Sequence, residues 1–267
     1  MSNIILSARN LTKHYKQRSG PLGIRTTLIK ALDDVSLDLK EGTTLAVVGE
    51  SGSGKSTLAR CLLQLLPLDA GDVLFQGKSL ADLSGAALRE QRRHLQMVFQ
   101  DPFASLNPRM RVGEIVEEGL LIHRQGTPEE RYERVLRMLK RVGLSEADMK
   151  KYPHQFSGGQ RQRIGIARAL VLEPKVVICD EPVSALDVSI QAQILLLLKE
   201  LQQEMSLSYL FISHDLRVVR HIADEVAVMH QGKLIEQGNV ESIYERPTQE
   251  YTRNLLQSIP GRRALAA

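Results

Sequence analysis

The chain has 267 residues, 43% of them hydrophobic, enough to bury a substantial core as one large domain or two small ones, and it shows no low-complexity tract or internal repeat. Its net charge of +4 is spread along the sequence and accompanied by five phenylalanines and no tryptophan, so no nucleic-acid surface is expected. No apolar run approaches the roughly 18 to 20 residues of a membrane-spanning helix, the N-terminus lacks the order of a secretory signal, and Cys61 and Cys179 sit inside apolar runs, so a cytoplasmic protein with two small buried thiols is expected.

Residues 4–15 and 28–39 read as strands, the second alternating cleanly through Val35-Ser36-Leu37-Asp38-Leu39 as in a half-exposed antiparallel sheet. Between them, residues 16–27 contain Arg18, Gly20, Pro21, Gly23 and Arg25 with neither a helical nor a strand period, and an exposed connection is expected. Thr44-Leu45-Ala46-Val47-Val48 suits a buried strand. It runs into Gly49-Glu50-Ser51-Gly52-Ser53-Gly54-Lys55-Ser56, which fits G-x-x-x-x-G-K-[ST] at every defined position. Three glycines let successive N–H groups converge where phosphate oxygens accept them, and Lys55 adds a positive charge. Ser56 offers a hydroxyl to Mg²⁺, and residues 57–63 read as a helix whose dipole favours the same anion. Strand, loop and helix in that order announce a nucleoside triphosphate site.

Val73-Leu74-Phe75 is a further short strand closed by a Gln76-Gly77 turn, and a polar helical passage leads on to Leu95-Gln96-Met97-Val98-Phe99. That strand stops at Gln100-Asp101-Pro102, which places Gln100 on a strand-to-loop junction. From residue 111 to 152 the pattern turns helical. Within 130–143, Tyr132, Val135, Leu136, Leu139 and Val142 recur at helical spacing, and Gly143 fits a helix stop. Lys175-Val176-Val177-Ile178-Cys179-Asp180 is a strand ending in acid, 189–205 is a helix with Ile190, Ile194, Leu197, Leu198 and Leu201 on one face, and Ser208-Tyr209-Leu210-Phe211-Ile212-Ser213 is another strand. Alternating strands and helices imply an α/β fold with a mostly parallel sheet covered on both faces. Asp180 and Glu181 then stand at a strand's C-terminal end, the edge where ligands bind in open α/β sheets and where Lys55 also lies. Asp180 can organise the water shell of Mg²⁺, and Glu181 can take a proton from a water attacking the γ-phosphate. The plainer alternative for the pair is an acidic turn opening before Pro182.

Phe156-Ser157-Gly158-Gly159-Gln160, continued by Arg161-Gln162-Arg163-Ile164-Gly165-Ile166-Ala167-Arg168-Ala169-Leu170, resembles the L-S-G-G-Q signature of the ATP-binding cassette (ABC) ATPases. Serine and two glycines at a helix N-terminus present N–H groups to an anion, and serine is equally an ordinary helix cap. The resemblance covers nearly the whole chain. It implies a single P-loop nucleotide-binding domain over 1–267, with an N-terminal antiparallel β subdomain, a helical subdomain inserted at about 101–156 and a C-terminal tail at about 240–267. It implies ATP held by Tyr15, stacked on adenine, and by Gly49, Ser51, Gly52, Ser53, Gly54, Lys55, Ser56 and Thr57, with Mg²⁺ at Ser56, Gln100 and Asp180. Glu181, His214 and Gln100 are implied in catalysis, His214 through the γ-phosphate and Gln100 as the link between metal site and helical insert. Ser157, Gly158, Gly159 and Gln160 are implied to touch the ATP of a partner cassette, and Asp187 of Ser184-Ala185-Leu186-Asp187 to face that partner.

Closer likeness comes from Gln100-Asp101-Pro102-Phe103-Ala104-Ser105-Leu106-Asn107-Pro108-Arg109, Tyr152-Pro153-His154-Gln155, Asp187-Val188-Ser189-Ile190-Gln191-Ala192-Gln193 and the tail Glu245-Arg246-Pro247-Thr248-Gln249-Glu250-Tyr251-Thr252-Arg253-Asn254-Leu255-Leu256. These resemble the ATP-binding subunits of oligopeptide, dipeptide and nickel importers. The implied partners are a second ABC ATPase subunit, identical or related, two integral membrane permeases and an external substrate-binding protein; the implied location is the cytoplasmic face of the inner or plasma membrane, held peripherally. A cassette energising a soluble complex is the alternative. Phe156, Cys179 and Val183 depart from commoner residues, but none removes a reacting group, and without the cysteines of some relatives' extensions no iron–sulfur cluster is predicted.

Overall fold

A computed structural model describes residues 3–19, 25–101 and 103–259. The chain divides into two compact units, Met1–Ser84 with Tyr209–Ala267, and Gly85–Ser208.

The first unit opens with β1 (Ile4–Ser19) and β2 (Arg25–Lys40), an antiparallel pair running from Ile4 opposite Lys40 to Ser19 opposite Arg25, with register shifts between Ile4 and His14 and a regular ladder from His14 on. Pairing therefore overruns the expected connection at 16–27 from both ends. The ladder satisfies backbone groups whose side chains carry no period, so composition alone misplaced the strand ends. Gly20, Pro21 and Gly23 of that expected connection lie outside the described residues, as do Pro102 and residues 260–267 of the expected tail. After β3 (Thr44–Val48) and α1 (Lys55–Leu62), β4 (Ala70–Phe75) and β5 (Lys78–Ser79) complete an antiparallel sheet in the order β2-β1-β4-β5. Its covered face carries Leu6, Ala8, Leu11, Val35, Leu37, Leu39, Val73 and Phe75, all buried. The Gln76-Gly77 turn forms as expected, both residues at positive φ.

The second unit contains α2 (Gly85–His94), β6 (Leu95–Val98), α3 (Val112–Ile122), α4 (Pro128–Arg141), α5 (Gly158–Leu170), β7 (Val176–Asp180) and α6 (Val188–Met205). Thr127 and Glu130 form a reciprocal capping box at the start of α4, and Gly143 at φ 80° ends the turn that follows it. Val135, Leu139 and Val142 are buried as their spacing predicts, and so is Met138. Tyr132 is not: it is 47% exposed, and its hydroxyl donates to Glu146 Oε1 at 2.6 Å. A tyrosine at the margin of an apolar stripe keeps its polar tip where a partner can reach it. β6 and β7 pair in parallel, and every residue of β7 is buried.

The chain then returns to the first unit through β8 (Ser208–Ser213), α7 (Leu216–Ile222), β9 (Glu225–His230), β10 (Lys233–Asn239), α8 (Val240–Glu245) and α9 (Glu250–Gln257). β3 lies between β8 and β9, parallel to both, and β10 pairs antiparallel with β9. The fold is α/β, with an antiparallel sheet from the N-terminal region and parallel strands at the nucleotide-loop strand. Among the described residues no helix is long and apolar enough to cross a membrane.

Candidate functional site

β3 delivers the glycine-rich loop. All five of its residues are buried, so the chain leaves the sheet at Val48 and must turn at once toward α1. Gly49 and Gly54 are required by the surroundings as well as by their φ values of 153° and 107°: a Cβ on either would stand 2.2 Å from a carbonyl oxygen, that of Met229 for Gly49 and that of Ala31 for Gly54. Gly232 donates its N–H to the Ser53 carbonyl at 3.0 Å. The loop is thus walled by β2 and by the β9–β10 turn. Inside it, Lys55 is only 5% exposed, and its ammonium donates to the carbonyls of Gly49 and Glu50, both at 2.8 Å, and to Ser53 Oγ at 3.4 Å. Ser51 and Gly52 are exposed, while Ser56 and Thr57 are half-buried in the first turn of α1.

His214 belongs to the same edge. Val48 pairs with Ser213, so the loop and His214 leave adjacent parallel strands at the same level, and His214 is exposed there. Tyr15 lies on β1 opposite Ile29, 38% exposed, with the Lys13 ammonium 5.8 Å from its ring centroid. Two residues along β2 from Ile29 is Ala31, the wall of Gly54, so one strand serves both the aromatic position and the loop.

In the second unit the register of β6 and β7 brings Gln100 and Glu181 together. Val98 pairs with Cys179 in a parallel ladder, so the residues two further on emerge side by side, and Gln100 Nε2 donates to Glu181 Oε2 at 3.0 Å. Asp180, 4% exposed, ends the strand. Glu181 takes a left-handed φ of 47° as the chain breaks from β7, and its carbonyl accepts from the Ser184 N–H and Oγ in the turn that follows. Such a backbone for a non-glycine residue costs roughly 1 kcal/mol and is held here by that turn.

Ser157 caps α5, its hydroxyl accepting from the Gln160 N–H at 3.3 Å while Gln160 Oε1 accepts from the Ser157 N–H at 3.0 Å. Gly159 packs against α6: a Cβ there would sit 2.5 Å from Ile190 Cγ2. At Gly158 the nearest atom, Leu186 Cδ2, would be at an ordinary 3.5 Å. Asp187 caps α6, accepting from the Ile190 N–H at 3.0 Å and from Ser189 Oγ at 2.7 Å, and the Ser189 hydroxyl in particular holds its carboxyl below the usual carboxylate range.

Residues 32–184 match the family model described as ABC transporter. The chain belongs to the ABC transporter family. It is 52% identical to the oligopeptide transport ATP-binding protein AppF of Bacillus subtilis (strain 168) over 257 residues, covering 96% of this chain and 78% of AppF. It is also 52% identical to the dipeptide transport ATP-binding protein DppF of Escherichia coli (strain K12) over 256 residues, covering 96% of this chain and 76% of DppF. Among solved structures, the ATP-binding cassette MJ0796 in a dimeric post-hydrolysis state bound to ADP and Pi superposes with a TM-score of 0.77 at 33% identity, covering 88% of this chain and 99% of that one. The protein is therefore an ATP-binding cassette ATPase.

Several contacts of this cassette are invisible to motif reading. Two arginines of α5 grip the segment that carries Gln100: Arg161 lies over the Phe103 ring at 4.0 Å, and Arg168 lies 5.6 Å from the Phe99 ring centroid and donates to the Ser105 carbonyl at 2.5 Å. They are seven residues apart and so share a helix face, a spacing legible in sequence but silent about what that face meets. The walls at Ala31, Met229 and Gly232 gave no sequence signal, because they come from strands remote in the chain. Both cysteines are buried, which raises their thiols above the usual range, that of Cys61 to about 11.

Proposed function

We propose that this cassette hydrolyses ATP to energise import of peptides through separately encoded membrane subunits. The carrying observation is the buried Lys55 ammonium folded inside a loop whose shape is fixed by neighbouring main chain. Lys55 and the loop residues Gly49, Ser51, Gly52, Ser53, Gly54, Ser56 and Thr57 hold the phosphates, and Tyr15 stacks on the adenine. Glu181, steadied by Gln100, takes the proton of the attacking water. His214, exposed beside the strand that launches the loop, contacts the γ-phosphate.

The donor set suits Mg²⁺. Gln100 spends its Nε2 on Glu181, so its amide oxygen, like the Ser56 hydroxyl and the Asp180 carboxylate, would offer the ion a hard oxygen ligand. When bound, the ion neutralises charge on the phosphates.

Residues 1–267 act as one cassette with a helical insert at about 101–156 and a tail at about 240–267. Ser157, Gly158, Gly159 and Gln160 cover the ATP of a second cassette, identical or related, and Asp187 faces it. Two permeases and an external binding protein complete the importer, and the cassette sits peripherally on the cytoplasmic face of the membrane. Peptides are the favoured cargo because AppF and DppF are named for oligopeptide and dipeptide transport. Affinity isolation from solubilised membranes tests the assignment. Integral membrane subunits and a second cassette should co-purify, and uptake of labelled peptide should cease on Lys55→Ala; recovery solely with soluble proteins would contradict it.

A further inference from the structure

The nucleotide loop is tied to the last helix of the described chain. Glu50 donates its backbone N–H to the Tyr251 hydroxyl of α9 at 3.2 Å. The Tyr251 ring lies on His230, centroids 4.0 Å apart and planes tilted by 36°. His230 ends β9 and opens the turn in which Gly232 holds the Ser53 carbonyl. Two main-chain groups of the loop, the Glu50 N–H and the Ser53 carbonyl, are therefore gripped from outside, one by α9 and the other by the turn on which its tyrosine rests.

The grip is firm because α9 is itself anchored. Glu236 of β10 accepts from the Thr248 N–H at 2.7 Å, the Thr248 hydroxyl at 2.9 Å and the Gln249 N–H at 3.2 Å, just ahead of the helix. Arg253 donates to the carbonyls of Pro247 and Thr248, and Thr252 and Leu256 are buried. Tyr251 is half-buried, and its burial raises the phenol above the usual range, so it remains a neutral hydroxyl.

We infer that Tyr251 is a positioning residue for nucleotide binding. Its hydroxyl fixes the Gly49–Glu50 peptide, which glycine would otherwise leave free to turn, so that the other N–H groups of the loop converge on the phosphates. The C-terminal helix thereby belongs to the support of the ATP site. This rests on the reading of 49–57 as the ATP loop. By linkage, whatever α9 contributes to ATP affinity, ATP returns to the docking of α9.

Tyr251→Phe separates the parts, since it keeps the ring on His230 and removes the oxygen. Titration should show ATP and ADP binding weakened alike, by about five-fold for one lost hydrogen bond. Hydrogen exchange should show a faster Glu50 amide, and ATP should slow α9 amides in the wild type but much less in Tyr251→Phe. Gln257→Ala, exposed on the same helix, should behave as wild type. Wild-type affinity in Tyr251→Phe, or α9 exchange indifferent to ATP in the wild type, would overturn the inference while leaving the ATP loop intact. Failure of the wild type itself to bind ATP would overturn both.

Discussion

The glycine-rich segments at 49–54 and 157–160 each lead into a helix, yet glycine answers a different need in each. At Gly49 and Gly54 a side chain would strike main-chain oxygens of Met229 and Ala31 at 2.2 Å, on residues with φ of 153° and 107°. At Gly159 it would strike the Ile190 methyl at 2.5 Å, from a helix of ordinary conformation. A main-chain carbonyl can move only if its strand moves, whereas a side-chain methyl can rotate away. The first loop is therefore moulded by the sheet around it, and the second sets how closely α5 and α6 approach.

That contrast breaks most visibly at Gly54. Gly54→Ala combines a strained φ with a main-chain clash and should cost more than about 3 kcal/mol, read in denaturant unfolding; a wild-type midpoint would mean that β2 yields and that the loop is not moulded. Lys55→Ala should fold normally but, on the proposed role of its ammonium as a charged donor to the phosphates, weaken ATP binding about 100-fold in titration. Gly159→Ala should cost only about 1 to 2 kcal/mol, and Ile190→Ala in the same chain should restore part of that loss, a coupling measurable by a double-mutant cycle. Strict additivity would show that the methyl contact does not set the helix spacing.

The smallest effect lies ahead of the second segment, at Asp148. Lys151 and Ser145 hold its carboxyl down at about 2, from the ordinary 3.8. A carboxylate with a lowered pKa stabilises the fold fully above its unfolded value and loses that contribution as pH falls through the folded one. The stability difference between wild type and Asp148→Asn should therefore be constant from pH 7 to about 5, shrink as pH falls through about 2 and vanish only toward pH 1; a difference undiminished at pH 1 would show another origin.

Local features were legible in the sequence. β3, the loop and the start of α1 follow from a short apolar run and a motif whose residues are consecutive, and the junction at Gln100 follows from the strand before it. Long-range neighbours were not. Ala31, Met229 and Gly232 meet the loop because β9 lies beside β3 and β2 runs past it, and no hydrophobic period encodes strand order. The hairpin arms near Ser19 and Arg25 form a ladder with no apolar alternation to announce it. The contact between Gln100 and Glu181 needed the parallel register of Val98 with Cys179, 81 residues away. Tyr251 belongs to a segment that resembles importer tails in sequence, and its place on the nucleotide loop is set by the fold.

The central claim, that Lys55 holds ATP and Glu181 activates the water, is tested most directly by measuring phosphate release and ATP affinity together in Glu181→Gln, using the purified importer complex. The account predicts affinity within about two-fold of the wild type and release lower by at least about 100-fold, the loss expected when a general base is removed. Undiminished steady-state release would contradict it.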